Sequence, residues 1–289
     1  MNSHIPTLLL REWMQHKRGW LITAFAPPTL FLAMLPFGHV SDLPLEHREL
    51  LALAILLVSA CAVFAICLLV ALFQLPGLAR RDVQDRSIEF WLSLPGRPSE
   101  SLAATVLAHA WLAPLGGAVV GTLFGLPIAM SVLAAQGGGG AVAGVDWNEV
   151  AAAALPLLLR GLAGTLPLLL WLAPLIFVLM AASAWLKRLG VPLVFVGGLV
   201  AVLVLDKVYS IDWPMRALGA WNAQLSRVMV NDGPGLKAAL MSTDVNLWAW
   251  VTQDFGRTLA ELASLQFLGW AAVAAAGFAL VVAKRSRAG

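Results

Sequence analysis

Residues 50–79 read LLALAILLVSACAVFAICLLVALFQLPGLA, thirty positions without one Asp, Glu, Lys or Arg. A helix rises 1.5 Å per residue, so about 20 apolar residues cross the ~30 Å hydrocarbon core of a bilayer. A run that is apolar all round has no wet face for a soluble surface, and it is read as a transmembrane helix. Working outward, stretches of the same kind recur at 19–39, 102–135, 161–186, 189–205 and 262–283, which with 50–78 make six spans. The expectation is an all-α integral membrane protein, one transmembrane domain over 1–289. Composition agrees: 60% of residues are hydrophobic, 12% are charged and the mean hydropathy is +0.83. A soluble domain carries about 25% charged residues, so soluble enzymes, disordered tails and disulfide scaffolds are excluded. Pro27, Pro28, Pro114, Pro127, Pro167 and Pro174 fall inside the spans, where a helix bundle tolerates kinks.

The charges set an orientation. If the N-terminus is cytoplasmic, twelve of the nineteen basic residues lie on the inside: Arg11, Lys17, Arg18, Arg80, Arg81, Arg86, Arg97, Lys187, Arg188, Lys284, Arg285 and Arg287. Eleven of the sixteen acidic residues then lie outside. The positive-inside rule therefore predicts a multi-pass membrane protein with both termini in the cytoplasm. Residues 1–18 mix Leu8, Leu9, Leu10, Trp13 and Met14 with Arg11, Glu12, His16, Lys17 and Arg18. This pattern predicts an amphipathic interfacial helix, with Arg11, Trp13, Lys17 and Arg18 at the headgroups; an ordinary basic flank is the plainer alternative. On the outer side, residues 206–261 are expected to form short helices broken by a turn at Asn231–Gly235, with Trp213, Trp221, Trp248 and Trp250 in the interface. They form either a cap over an exit or a connector. The run Gly137–Gly140 is read as a flexible turn, and Asp206, Lys207 and Arg160 as boundary residues.

A search for chemistry returns little. There is no GxxxxGK[ST] phosphate loop and no HExxH, so no catalytic, cofactor or metal site is assigned. Cys61 and Cys67 are six positions apart on one helix, about 9 Å along its axis and too far for a disulfide. A pI near 9.2 suggests nucleic acid until the basic residues are seen to flank apolar runs. His109 is the one imidazole deep in a span. A histidine hydrogen-bonded within the bundle is the plainer reading and a proton or ligand role the other. With no Asp, Glu, Lys or Arg deep in a span, an ion-coupled carrier is disfavoured.

The loop at 79–101 is far more patterned than a connector. Arg81 with Asp85, and Asp82 with Arg86, are i,i+4 opposite-charge pairs, and Arg86 with Glu89 is i,i+3. Ile88, Trp91 and Leu92 share an apolar face flanked by Phe90 and Leu94, and Pro95 and Gly96 end the helix. Such a helix either plugs into a groove on a soluble partner or lies on the bilayer with Trp91 as an anchor.

Within this loop the string DRSIEFWLSLP, residues 85–95, resembles a segment that follows the second span in many bacterial permeases of the ABC type 2 (ABC-2) transporter family. Six spans, cytoplasmic termini, an amphipathic N-terminal helix and a missing phosphate loop are also what that family shows. The resemblance covers essentially the whole chain, with only this segment specific enough to be a motif. It implies a membrane-spanning permease subunit of an ATP-binding cassette exporter, not itself an enzyme. Such a subunit pairs with a second permease copy and docks on a separate nucleotide-binding ATPase that holds ATP and Mg. It implies Asp85, Arg86, Ile88, Glu89, Phe90 and Trp91 as docking residues of a coupling helix. The long 206–261 segment departs from the shorter exofacial element common there. A membrane scaffold that recruits a cytoplasmic ATPase without its own transport path, and an ion-coupled carrier, are the alternatives.

Overall fold

The computed structural model describes residues 5–38, 45–84, 97–241 and 246–286, with the side chains of 81–84 left aside. Among these residues the chain is helical, with no strand. The helices are α1 (Ile5–Met34), α2 (Arg48–Gln84), α3 (Pro98–Leu107), α4 (Ala113–Ala143) and α5 (Trp147–Leu186). They continue with α6 (Gly198–Lys207), α7 (Trp213–Val228), α8 (Gly233–Met241), α9 (Leu247–Glu261) and α10 (Leu265–Ser286). Five helical stretches are long and apolar enough to cross a membrane: Ile5–Phe37, Leu45–Arg80, Pro98–Ala143, Trp147–Lys207 and Leu265–Ser286. The chain is an all-α membrane protein.

Glycines fasten the centre of the bundle. A Cβ at Gly117 would lie 2.6 Å from Cys67 Sγ, one at Gly121 2.5 Å from Ser59 O, and one at Gly125 2.9 Å from Leu56 Cα. The residues on α2 descend as those on α4 ascend, so the two helices are antiparallel. The four-residue glycine spacing lets their backbones touch, as small residues do between membrane helices. α5 and α10 run parallel: Trp171 meets Phe267, Phe177 meets Phe278, and Trp185 meets Lys284.

Two parallel neighbours require a return between them. The turn comes at Lys187, whose φ of 56° reverses the chain. Gly190 then passes so close to the Ala182 and Ser183 backbone that no side chain fits there. Residues 190–228 carry the chain back: after a π-helical turn at Leu193–Gly197 and α6, α7 runs along α5 toward its start, with Trp221 Nε1 donating to Trp171 O and Arg160 Nη2 to Val228 O.

These directions give the bundle two ends. The proximal end collects the starts of α1 and α3 and the finishes of α2, α5 and α10. Its core includes Leu75, Leu102, Met180 and Val281. The distal end is built on Leu53, Leu133, Val150 and Trp250, where α8 and α9 close over α2, α4 and α5. α5, with 40 residues, is about 60 Å long. It exceeds the hydrocarbon core and stands out at the distal end with α8 and α9 against it.

Several expectations are corrected. Residues 5–18 are no separate interfacial helix: α1 continues unbroken through Arg18 and Gly19 to Met34. The reason is local, because nothing between Lys17 and Leu21 breaks a helix and Pro27–Pro28 come two turns later. The break expected at Gly137–Gly140 is present as a kink: Gly138, at φ 68° and ψ −169°, leaves the helical region and divides α4, and the chain then reverses at Gly144–Asp146, where the Asp146 side chain caps α5 through Asn148 and Glu149 N–H. The helices at 206–261 form as expected, but Trp250 is buried in the distal core. Trp213 and Trp248 remain exposed.

Candidate functional site

At the proximal end, α1, α3 and the turn that follows α3 enclose a polar cluster. Pro114 has no N–H and its ring collides with the carbonyl one turn back. The helix answers with a π turn, Ala108–Leu112, in which Ala113 N–H donates to Ala108 O. Such turns recur at functional sites. His109 sits in this one, completely buried, and Thr105 lies one turn before it on the same face. Opposite them, α1 presents Glu12 at 1% exposure, with His16 one turn further along.

The two oxygens of Glu12 have different surroundings. Oε1 accepts from Arg11 Nη2 at 2.6 Å and from Thr105 Oγ1 at 3.1 Å. Oε2 has no aligned donor and faces two imidazoles, His109 Nε2 at 3.4 Å and His16 Nδ1 at 3.5 Å. Neither ring nitrogen of His109 has an aligned hydrogen-bond partner. His16 Nδ1 also lies 3.1 Å from Glu12 O. The His109 ring edges onto His16 at 4.5 Å and onto Trp20 at 4.9 Å, so indole and imidazole wall off the cluster. One ligand atom from each of Glu12, His16 and His109 falls within 4.8 Å of the others.

A second cluster lies near the distal end. Arg160 Nε donates to Asp254 Oδ2 at 2.8 Å, and its Nη2 donates to Thr258 Oγ1 at 2.8 Å and Val228 O at 3.1 Å. Asp254 also accepts from Asp232 N–H at 2.7 Å and Asn231 N–H at 3.3 Å, and the guanidinium lies over the Phe255 ring. Arg160 and Asp254 are 2% and 1% exposed. Arg160 is thus more than a boundary residue: it ties α5 to α9 and to the turn before α8. Nearby, the exposed carboxyl of Asp232 is held below the ordinary carboxylate range by the Gly235 N–H and by Arg257.

A third feature, also proximal, is a recess of about 520 Å3 ringed by Arg80, Lys187, Arg188, Lys284 and Arg285. It gathers the basic residues that close α2, α5 and α10.

The expected docking residues Asp85, Arg86, Ile88, Glu89, Phe90 and Trp91 lie outside the described residues. Their two tethers are described: α2 ends at Gln84 and α3 starts at Pro98, both proximal. Of the α1 residues singled out, Arg11 joins the Glu12 cluster, whereas Trp13, Lys17 and Arg18 are exposed. Glu12 and Arg160, which fall outside the spans expected from sequence, are nonetheless buried in the bundle. Glu12 and His16 read in the sequence as part of an amphipathic flank and not as a pair, although their i,i+4 spacing puts both on one face. No family profile, curated protein or solved structure matches the chain.

Proposed function

We propose that the chain is the membrane-spanning permease subunit of an ATP-binding cassette exporter of the ABC-2 type. It crosses a bacterial inner membrane six times, with both termini in the cytoplasm, and works with a second permease copy. The observation that carries this reading is DRSIEFWLSLP at 85–95, held between helix ends that share the proximal end with the N-terminus and the basic recess. The basic ring supports a cytoplasmic assignment for that end. The parallel course of α5 and α10 supports six passes, since the chain has to return between them.

On this reading the segment between α2 and α3 is a lever. ATP closes a partner ATPase dimer, and the motion enters through α2 and α3, whose packing on α1 and α4 transmits it to the cargo path. Hydrolysis belongs to the partner, which supplies ATP and Mg. A coupled ion carrier is supported less well. Its coupling charge is expected near the bilayer midplane, whereas Glu12 lies about 33 Å from the finish of α1, at the proximal edge of a ~30 Å core. Arg160, counted from the finish of α5, lies about 39 Å away, past the distal edge.

Affinity purification of the tagged chain from its host in mild detergent tests the proposal. The expected result is a stoichiometric partner carrying a phosphate loop, with ATPase activity in the complex. Trp91→Ala combined with Glu89→Lys should abolish that association while leaving membrane insertion intact. Recovery of the chain without any nucleotide-binding protein overturns the reading and favours a scaffold or carrier; unchanged association in the double variant overturns the docking assignment.

A further inference from the structure

We infer that Glu12, His16 and His109 form a binding site for a divalent transition metal of the zinc class, clamping α1 to the π turn between α3 and α4. The inference does not rest on the permease reading.

Ligand identity comes first. Two imidazoles and one carboxylate are a borderline nitrogen and oxygen set. It suits Zn2+ and its neighbours, and not Mg2+ or Ca2+, which take oxygen cages. Distances come second. With metal–ligand bonds of about 2.0–2.2 Å, two ligands of a tetrahedral ion stand roughly 3.3–3.6 Å apart. Glu12 Oε2 lies 3.4 Å from His109 Nε2 and 3.5 Å from His16 Nδ1. Both separations are long for a good hydrogen bond and match the edges of such a tetrahedron.

The remaining bonds separate the two oxygens by task. Arg11 and Thr105 hold Oε1. They orient the carboxylate as outer-shell partners do in metal sites and leave Oε2 for the ion. Oε2 and both His109 nitrogens are buried without an aligned partner, and such atoms are costly to leave unmet. A dication bound to Oε2 and Nε2 meets two of them at once. His16 enters by giving up its Nδ1 contact with Glu12 O and carrying its proton on Nε2. Water completes the fourth position, reached from the half-exposed His16 side.

The ligands come from two elements far apart in sequence. Binding therefore couples α1 to α3 and the π turn that follows it, and the clamp tightens the proximal end when metal is present.

The test uses the full chain in detergent, stripped with chelator, then equilibrated with Zn2+ or Co2+ alone and desalted. Elemental analysis should find one Zn2+ retained per chain, and the Co2+ form should show the strong visible d–d bands of a four-coordinate ion. His16→Gln, at a half-exposed position that folding tolerates, and His109→Gln should each lose both signals. His47→Gln, remote from the cluster, should keep them. Thr105→Val should weaken affinity roughly tenfold, the usual cost of an outer-shell partner. No Zn2+ retained by the wild-type chain overturns the proposal, and so does retention unchanged in His16→Gln.

Discussion

Arg160 and Glu12 are both buried charges paired with a neighbour, one toward each end of the bundle, and they differ in how completely they are satisfied. At the distal end Asp254 accepts from Arg160, Asp232 N–H and Asn231 N–H, and Arg160 donates to three acceptors while lying over Phe255. At the proximal end Glu12 is satisfied on one oxygen only, and His109 on neither nitrogen. The distal cluster leaves only Arg160 Nη1 without an aligned acceptor, and such near-complete satisfaction is what a structural fastening needs, since every buried polar group left alone costs free energy. Incomplete satisfaction in a rigid setting marks a place built for something the chain itself does not supply. The contrast separates a knot from a site.

Cutting the knot should produce the largest effect. Asp254→Ala strands the Arg160 guanidinium at 2% exposure and frees two backbone N–H groups. Removing one partner of a buried pair typically costs about 3–5 kcal/mol. Thermal unfolding of the detergent-solubilised variant should show the loss as a sharply lowered midpoint, with α7–α9 the first segment to exchange amide hydrogens. Arg160→Met combined with Asp254→Leu should recover most of it, because an apolar pair of similar volume removes the stranded charge. A midpoint unchanged in Asp254→Ala would mean that the ion pair does not hold the distal helices.

The same substitution logic at the proximal end should give less. Glu12→Gln keeps the shape and one acceptor for Thr105, and Arg11, with 13% of its side chain exposed, retains some access to water. The loss should be about 1.5–3 kcal/mol, the range for a hydrogen bond to a charged group. A loss equal to that of Asp254→Ala would break the comparison and make both clusters fastenings. The two should also be independent. Sites at opposite ends with no shared partners add within about 0.3–0.5 kcal/mol, so the double variant Glu12→Gln, Asp254→Ala should unfold at the sum of the single losses. A larger coupling would mean that the glycine-seamed α2–α4 contact transmits strain between the ends.

How far the sequence reached follows from what each element depends on. Spans were legible because apolar length is a property of consecutive residues, and 50–79 needs no partner to be read. The three short helices at 206–261 were legible from amphipathic fragments and the turn signal Asn231–Gly235, where Asp232 does accept from Gly235 N–H. The Gly137–Gly140 run was legible as a break because only glycine readily adopts the positive φ that Gly138 takes at the kink, although the chain reverses only at Gly144–Asp146. The clusters were hidden for another reason. Glu12 and Thr105 are 93 positions apart and Arg160 and Asp254 are 94, so a charge that reads as solvated flank becomes buried only through a partner that no local pattern announces. The i,i+4 pairs Glu12–His16 and Asp254–Thr258 were the only local trace.

The smallest expected effect concerns the rim of the knot. Gly235 N–H donates to Asp232, and Arg257 Nη1 approaches its other oxygen at 2.9 Å. Both contacts favour the ionised carboxyl, so its folded pKa lies below the ordinary value. A depressed carboxylate contributes stability that is fully present above its unfolded pKa, near 4, and is lost as pH falls through the lower folded value. Lowering the pH below about 4 should therefore loosen the turn before α8, with faster amide exchange at Gly235. Asp232→Asn should flatten that dependence, and Arg257→Gln should shrink it without removing it, because the Gly235 contact is the stronger cause. The group is exposed and its ion pair screened by solvent, so the global midpoint should barely move. The Asn231 and Asp232 N–H groups, which donate to the buried Asp254, report on the core of the knot, and their exchange is followed beside that of Gly235. Simultaneous loss of both would show that rim and knot are one cooperative unit.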